Sequence, residues 1–277
     1  MGIVERPLTA RSVLASTLLG TDPPRLPVSF LVRTGELFGL SEGAVRTALS
    51  RMASAGEVKR DDSGGYELQG ELLTRQMRQR QSRIAETTAW NGRWTMAVVA
   101  TGSRNASDRS ALRSAMVRLR MAELREGVWL RPDNLDHARL PDERDVVTDQ
   151  CIRFDSVPQI AIEETEGELA GELWDLTDWS DTAKELRYRM HEVTKQLEKE
   201  DPGSLPSGFV LSAAVLRHFG ADPLLPRELL PRHWPGERLR LDYDRYDTLF
   251  RNVLASWASA AAAAAGTAAG TGQIDGR

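Results

Sequence analysis

The stretch SEGAVRTALSRMASAGEVKR, residues 41–60, decides how the amino-terminal part of the chain folds. Ser41 is placed to cap a helix, and Glu42 sits in its first turn, where a negative charge suits the helix dipole. Val45, Leu49 and Met52 recur at i, i+4 and i+7 with Ala44 and Ala48 beside them, giving one apolar stripe. The opposite face carries Glu42, Arg46, Thr47, Ser50, Arg51 and Ser54. Gly56 ends the helix, because glycine enters the left-handed region that a helix C-terminus favours. EVKR, DDSGG and YELQ (57–69) then read as strand, tight turn and strand, with Gly64 and Gly65 in the turn.

Upstream, TARSVLASTLL (9–19) predicts a first helix, with Thr9 as cap and Val13, Leu14, Leu18 and Leu19 as its stripe. GTDPPRLP (20–27) breaks it. VSFLVRTGELF (28–38) predicts a second helix, with Val28, Leu31, Val32 and Phe38 inward, and GLS (39–41) is the turn into the third. Three helices followed by a hairpin is the element order of a winged helix-turn-helix. Downstream, LLTRQMRQRQSRI (72–84) predicts a basic, glutamine-rich linker helix with a solvated surface.

The next segments predict a strand late in 90–101, a helix over 107–124, a strand at GVWLRP (127–132) and another at CIRFDS (151–156). That pattern implies a small α+β domain of ferredoxin-like type. From Glu168 the chain reads as helical: Leu186, Met190, Val193 and Leu197 keep a helical period, and 209–220 is a helix ended by glycine. Residues 221–238 are proline-rich and not regular for long. The last helix bears Tyr243, Tyr246, Phe250, Val253 and Trp257 on one stripe, and the alanine-rich end from Ala258 reads as a disordered tail or a fraying helix end. The fold class is thus α+β. Its domains are a winged helix-turn-helix (1–70), a basic linker helix (71–88), a central α+β domain (89–165), a helical carboxy-terminal domain (166–257) and a low-complexity tail (258–277).

A chain of 277 residues buries cores without covalent staples, and its single cysteine, Cys151, excludes an internal disulfide framework. That usage fits a reducing, cytoplasmic compartment. No apolar run is long enough to span a bilayer, and the early SVLASTLLG (12–20) is interrupted by hydroxyls, unlike a signal core. The formal net charge of −4 excludes a histone-like basic coat. Its distribution is uneven: residues 1–140 hold 21 Lys/Arg against 15 Asp/Glu, so one end is suited to a polyanion.

The helix at 42–54 has what a major-groove reader needs. Its apolar stripe fixes it to the other helices, its short polar groups let the backbone approach the bases, and arginine reaches guanine or phosphate. Ser41, Glu42, Arg46, Thr47, Ser50 and Arg51 form the expected DNA-facing set, with Lys59 and Arg60 on the wing for phosphate contacts.

The motif AVRTALSRMASAGEV with its wing resembles the amino-terminal module of the PaaX family, regulators of phenylacetic-acid catabolism. WNGRWTMAVV followed by GVWLRPDNL resembles that family's middle domain, and FGADPLLPRELLPRHWPGERLR its carboxy-terminal signature. The resemblance implies a GntR-like winged-helix domain, a central domain similar to Cas2, a helical third domain and a homodimer. It also implies repression of a catabolic operon, relieved by a small effector such as phenylacetyl-coenzyme A or another acyl-coenzyme A. No other cofactor is implied. An aromatic acyl-coenzyme A needs an apolar slot and cations for its phosphates, for which Trp90, Arg93, Arg104, Arg109 and Arg113 are the candidates, while Trp94 and Trp129 read as core. The wing departs from the family pattern: its tip is DDSGGY, without a glycine-arginine pair, and Asp61 and Asp62 would repel phosphate.

Two rival functions are open at this level. GLSEG (39–43) matches the nucleophile elbow of serine hydrolases, with Ser41 as nucleophile, but that motif needs a strand before it and 28–38 has helical spacing. A winged helix also serves as a protein-binding adaptor. His137, His191, His218 and His233 stand too far apart in sequence for a zinc motif. The strand RWTMAVVATG lacks the acidic residue that Cas2-type nucleases use, so the expectation is a DNA-binding protein and not an enzyme.

Overall fold

The computed structural model describes residues 8–100, 102, 104–158 and 165–270, with side chains through residue 260. The chain divides into two compact units, each built from separate stretches: residues 1–83, 186–217 and 239–277 in one, and 84–185 with 218–238 in the other.

The first unit begins with α1 (Ala10–Leu19), β1 (Arg25–Leu26), α2 (Val28–Glu36), α3 (Glu42–Ser54), β2 (Val58–Arg60), β3 (Tyr66–Leu68) and α4 (Gly70–Ile84). Thr9 caps α1, its side chain accepting from the Ser12 amide. Leu14, Leu18, Leu31, Val45, Leu49 and Met52 are at most 1% exposed and form one core with Val58 and Leu68 of the hairpin. The sheet order is β1-β3-β2. β1 lies inside a segment that reads from sequence only as a breaker, because two residues between prolines carry no periodicity. It is a strand through its pairing: Arg25 lies opposite Glu67 and Leu26 opposite Tyr66. Gly35 is where α2 and α3 meet, since a Cβ there would stand 2.5 Å from Val45 Cγ2.

The second unit contains β4 (Trp94–Val99), α5 (Ala106–Arg118), β5 (Ala122–Arg125), β6 (Val128–Pro132), α6 (Pro141–Gln150), β7 (Cys151–Ser156) and α7 (Glu166–Leu173). The antiparallel sheet has the order β5-β6-β4-β7, which is the ferredoxin-like arrangement. The helix expected over 107–124 is shorter. It stops at Arg118, Arg120 takes a positive φ of 60°, and Met121 N donates to Met116 O, so the chain turns into β5. Helical spacing there continues into apolar residues that the sheet claims instead. One sheet face packs Ala97 and Trp129 against Leu112, Met116 and Val147, while Trp94 and Leu130 join a core with Ala170 and Leu176. Arg131 is buried and donates to the carbonyls of Leu119 and Pro132 and to Asn134 Oδ1. Burial, then the neighbouring guanidiniums, lowers its pKa to about 9.

The remaining helices are α8 (Leu176–Leu197), α9 (Leu205–Ala221) and α10 (Gly236–Gly270). Only a single 3-10 turn, Arg227–Leu229, interrupts the proline-rich stretch. In the first unit α9 and α10 approach closely at Gly208, whose carbonyl accepts from Tyr246 Oη at 2.6 Å. Tyr243, Tyr246, Phe250 and Val253 are buried as their stripe predicts, whereas Trp257, the last of that stripe, is only half-buried. The alanine-rich end continues α10 as helix to Gly270, and residues 271–277 of the expected tail lie outside the described residues. The expected solvated linker, α4, is instead packed into the first unit. Gln76 is 3% exposed and donates to the carbonyls of Leu19 and Thr21. Arg83 donates to Asp244 and Asp247 of α10 and lies over the Tyr243 ring. A glutamine that satisfies buried carbonyls has the same one-letter signature as one in solvent, so the sequence does not separate the two.

Candidate nucleic-acid interface

The outer face of α3 is built from below. Val45, Leu49 and Met52 are buried, and this forces Arg46, Thr47, Ser50 and Arg51 outward, all four exposed. Ser41 Oγ accepts from the Ala44 amide at 3.3 Å and caps the helix. The element before it is α2, a helix, so the strand that a nucleophile elbow requires is not there.

The cations differ in how they are held. Arg46 Nε donates to Glu42 Oε1 at 2.7 Å, a pair that closes one turn of helix. The Arg51 guanidinium has no ion-pair or hydrogen-bond partner among the described residues. On the wing, Lys59 Nζ meets Glu67 Oε1 at 2.6 Å, and the hydrogen bond to Glu67 raises the lysine's pKa. Arg60, like Arg51, has no such partner among the described residues. Lys59 lies opposite Glu67 and Arg60 opposite Tyr66. Adjacent strand residues point to opposite faces, so Lys59 and Arg60 do not address one phosphate row together.

The wing tip is organised by Asp61. Its Oδ1 accepts from Ser63 N, Ser63 Oγ and Gly65 N, at 3.0, 2.7 and 2.7 Å. The Ser63 hydroxyl, followed by the two backbone amides, holds this carboxyl below its ordinary pKa. Asp61 is thus turned into the loop as a structural acceptor, which leaves Asp62 as the exposed negative group at the tip.

The five expected effector residues do not form one cluster. Trp90 Nε1 donates to Arg93 O at 2.6 Å, and the two precede β4. Arg104 and Arg109 follow it, Arg109 donating to the Arg104 carbonyl at 2.6 Å. The six residues of β4, roughly 20 Å of strand, separate the two sets. Arg113 lies 3.7 Å from Glu123 and over the Trp129 ring. Trp94 is fully buried and Trp129 is 7% exposed, as core residues. Among the described residues no group of three or more His, Cys, Asp or Glu is arranged to hold a metal ion.

Sequence reasoning did not mark Glu67 as the partner of Lys59, although counting back from the five-residue tip gives that register. Nor did it mark Asp61 as the loop acceptor, for which Asp followed by Ser at i+2 and Gly at i+4 is the available signal.

Three family models align with the chain in order: the PaaX-like protein model over residues 9–72, the PaaX protein central Cas2-like domain over 87–156, and the PaaX-like protein C-terminal domain over 174–265. No curated protein matches. Among solved structures the chain is similar to the uncharacterized protein Rv0674 from Mycobacterium tuberculosis, with 38% identity, 90% of this chain and 98% of that chain covered, and a TM-score of 0.71.

Proposed function

Because the chain belongs to the PaaX family, a family of transcriptional regulators, we propose that it is a homodimeric cytoplasmic repressor that binds double-stranded operator DNA through α3. The observation that carries this reading is the two-sidedness of α3: Val45, Leu49 and Met52 are at most 1% exposed, beneath an outer face of short polar groups and arginines. Ser41, Glu42, Arg46, Thr47, Ser50 and Arg51 face the groove, and Lys59 and Arg60, on opposite faces of the wing strand, contact separate stretches of the flanking backbone. Two-fold symmetry then sets the half-sites one helical turn apart or a multiple of it, roughly 34–36 Å for one turn. The target is a catabolic operon of phenylacetate type. A small effector lowers operator affinity, and the family points to an acyl-coenzyme A such as phenylacetyl-coenzyme A. Among the described residues no helix is long and apolar enough to cross a membrane.

The test is selection of duplexes from a random pool by the purified protein, followed by mobility-shift titration of the enriched sequence. A two-half-site sequence with steep salt dependence is expected. Failure to retain any duplex at low salt overturns the reading and favours the protein-binding adaptor.

A further inference from the structure

On the sheet face that α5 and α6 cover, the second unit gathers arginines without giving them counter-ions. Thr95 of β4 lies opposite Arg131 of β6, and Ala97 lies opposite Arg153 of β7. Alternate strand residues share a face, so Thr95, Arg131 and Arg153 project on the side where Ala97 packs against Leu112 and Val147. Arg144 stands on α6, one turn before Val147. With Asp133 these residues line one hollow of about 30 Å³, more than a single water needs. We propose that Arg131, Arg144, Arg153 and Thr95 form a binding site for a terminal phosphoryl group, that of free phosphate or of the phosphorylated end of a small ligand.

The lining carries charge that the protein itself does not answer. None of the three guanidiniums is in an ion pair among the described residues. Arg131 is 5% exposed and donates only to neutral acceptors, the carbonyls of Leu119 and Pro132 and Asn134 Oδ1. Arg144 donates to the carbonyls of Arg139 and Asp136, at 2.9 and 3.0 Å. Arg153 is exposed, and neither it nor the Thr95 hydroxyl has a hydrogen-bond partner among the described residues. A buried charge is ordinarily countered, because it has given up its hydration. Here the nearest charges add to the strain: the guanidiniums of Arg120, Arg144 and Arg139 act against that of Arg131, and Arg153 acts against Arg144. An oxyanion in the hollow replaces that repulsion with attraction.

The charge balance selects the ligand. Three guanidiniums and the Asp133 carboxylate leave the lining with a net charge of two, and a phosphoryl monoester carries about −1.5 to −2 at neutral pH. A carboxylate offers one charge and two oxygens in a plane. A phosphoryl group offers three oxygens, which suits guanidiniums arriving from β6, β7 and α6. A phosphodiester of duplex DNA carries a single charge and matches the lining less well. As an anchor for the phosphates of an acyl-coenzyme A the site rests on the regulator reading; as a phosphate site it stands without it.

The experiment is isothermal titration of the full chain, at matched ionic strength, with sodium phosphate, coenzyme A and adenosine. Expected are one site per chain for both phosphoryl probes, competition between them, and no binding of adenosine. Coenzyme A binding at least tenfold tighter than phosphate assigns the site to a nucleotide-bearing ligand; equal binding assigns it to phosphate itself. Arg153→Glu should abolish binding of both probes, Arg153→Gln should weaken it about tenfold, and Arg153→Lys should restore most of it. Thermal unfolding checks that each variant is folded, and Arg144→Gln supplies a second variant if Arg153→Glu is not. Binding unchanged in the folded variants, or matched by sodium chloride in place of phosphate, overturns the inference. So does a folded Arg153→Glu protein that keeps both probes and loses its selected duplex, which assigns the arginine to DNA. A wild type that holds duplex but takes neither probe sinks this site and leaves the regulator standing. A wild type that takes the probes but no duplex sinks the regulator and leaves the site.

Discussion

Glu42 and Arg46 hold one another across a single turn of the helix that faces outward, Oε1 to Nε at 2.7 Å, whereas Arg51, five residues further on, is unpaired among the described residues. The two arginines therefore start from different states. An exposed i,i+4 pair contributes only about 0.3–0.5 kcal/mol, so Arg46 exchanges partners at low cost, but its carboxylate still faces the approaching phosphates.

From this comes an asymmetry in operator binding. Arg51→Ala should lower affinity for the selected duplex by about 1–3 kcal/mol and relax preference at one base position. Glu42→Gln should raise affinity for all duplexes, because it frees Arg46 and removes a like charge. Mobility-shift titration of both variants checks this, and weaker binding by Glu42→Gln would contradict the assigned orientation of the face.

On the wing, Lys59 is tied to Glu67. Lys59→Ala should weaken all duplexes alike and reduce the salt slope by about one unit. Glu67→Gln should do the reverse. Titration over a salt series separates the two effects, and a sequence-selective loss from Lys59→Ala would assign that lysine to bases instead.

Gly35 sets the seat of α3. Gly35→Ala places a methyl against Val45 and should cost about 1–3 kcal/mol of stability, the usual penalty of overpacking. Thermal unfolding measures this, with a parallel loss of duplex binding as α3 is displaced.

Asp61 gives the wing a pH dependence of known sign. Its folded-state pKa lies below the ordinary 3.8, so its stabilisation of the loop is fully present above that value and is lost as pH falls through the lowered one. Exchange protection of the Gly65 amide should thus be flat near neutrality and fall only in strongly acidic solution. Asp61→Asn should weaken it at all pH values.

Ser41 acts as a cap. Ser41→Ala should cost about 0.5–2 kcal/mol of helix stability and leave any background p-nitrophenyl ester turnover unchanged. Turnover abolished by the substitution would instead establish the hydrolase reading.

Much of this architecture was legible in the chain because it is local. Ser41, the Val45–Leu49–Met52 stripe and Gly56 mark a helix with its ends, and Gly64 and Gly65 mark a turn, all within a few residues of what they determine. The Glu42–Arg46 pair is equally a matter of spacing. Other features escaped because their causes lie far off in sequence. The two residues of β1 are a strand only through β3, and Gln76 is a buried donor only because the fold brings the carbonyls of Leu19 and Thr21, 57 and 55 residues away, within its reach. The helix written to 124 gave way to an edge strand because pairing with β6 outweighs helical spacing in a short apolar run.

The amino-acid order alone determined that α3 has a greasy side and a cationic side, since periodicity and turn chemistry act between neighbours. Tertiary structure alone decided which cations remain free, and that Arg131, Arg144 and Arg153 line one hollow. Pairings such as Arg83 with Asp247, 164 residues apart, form only when the folded chain brings the partners within reach.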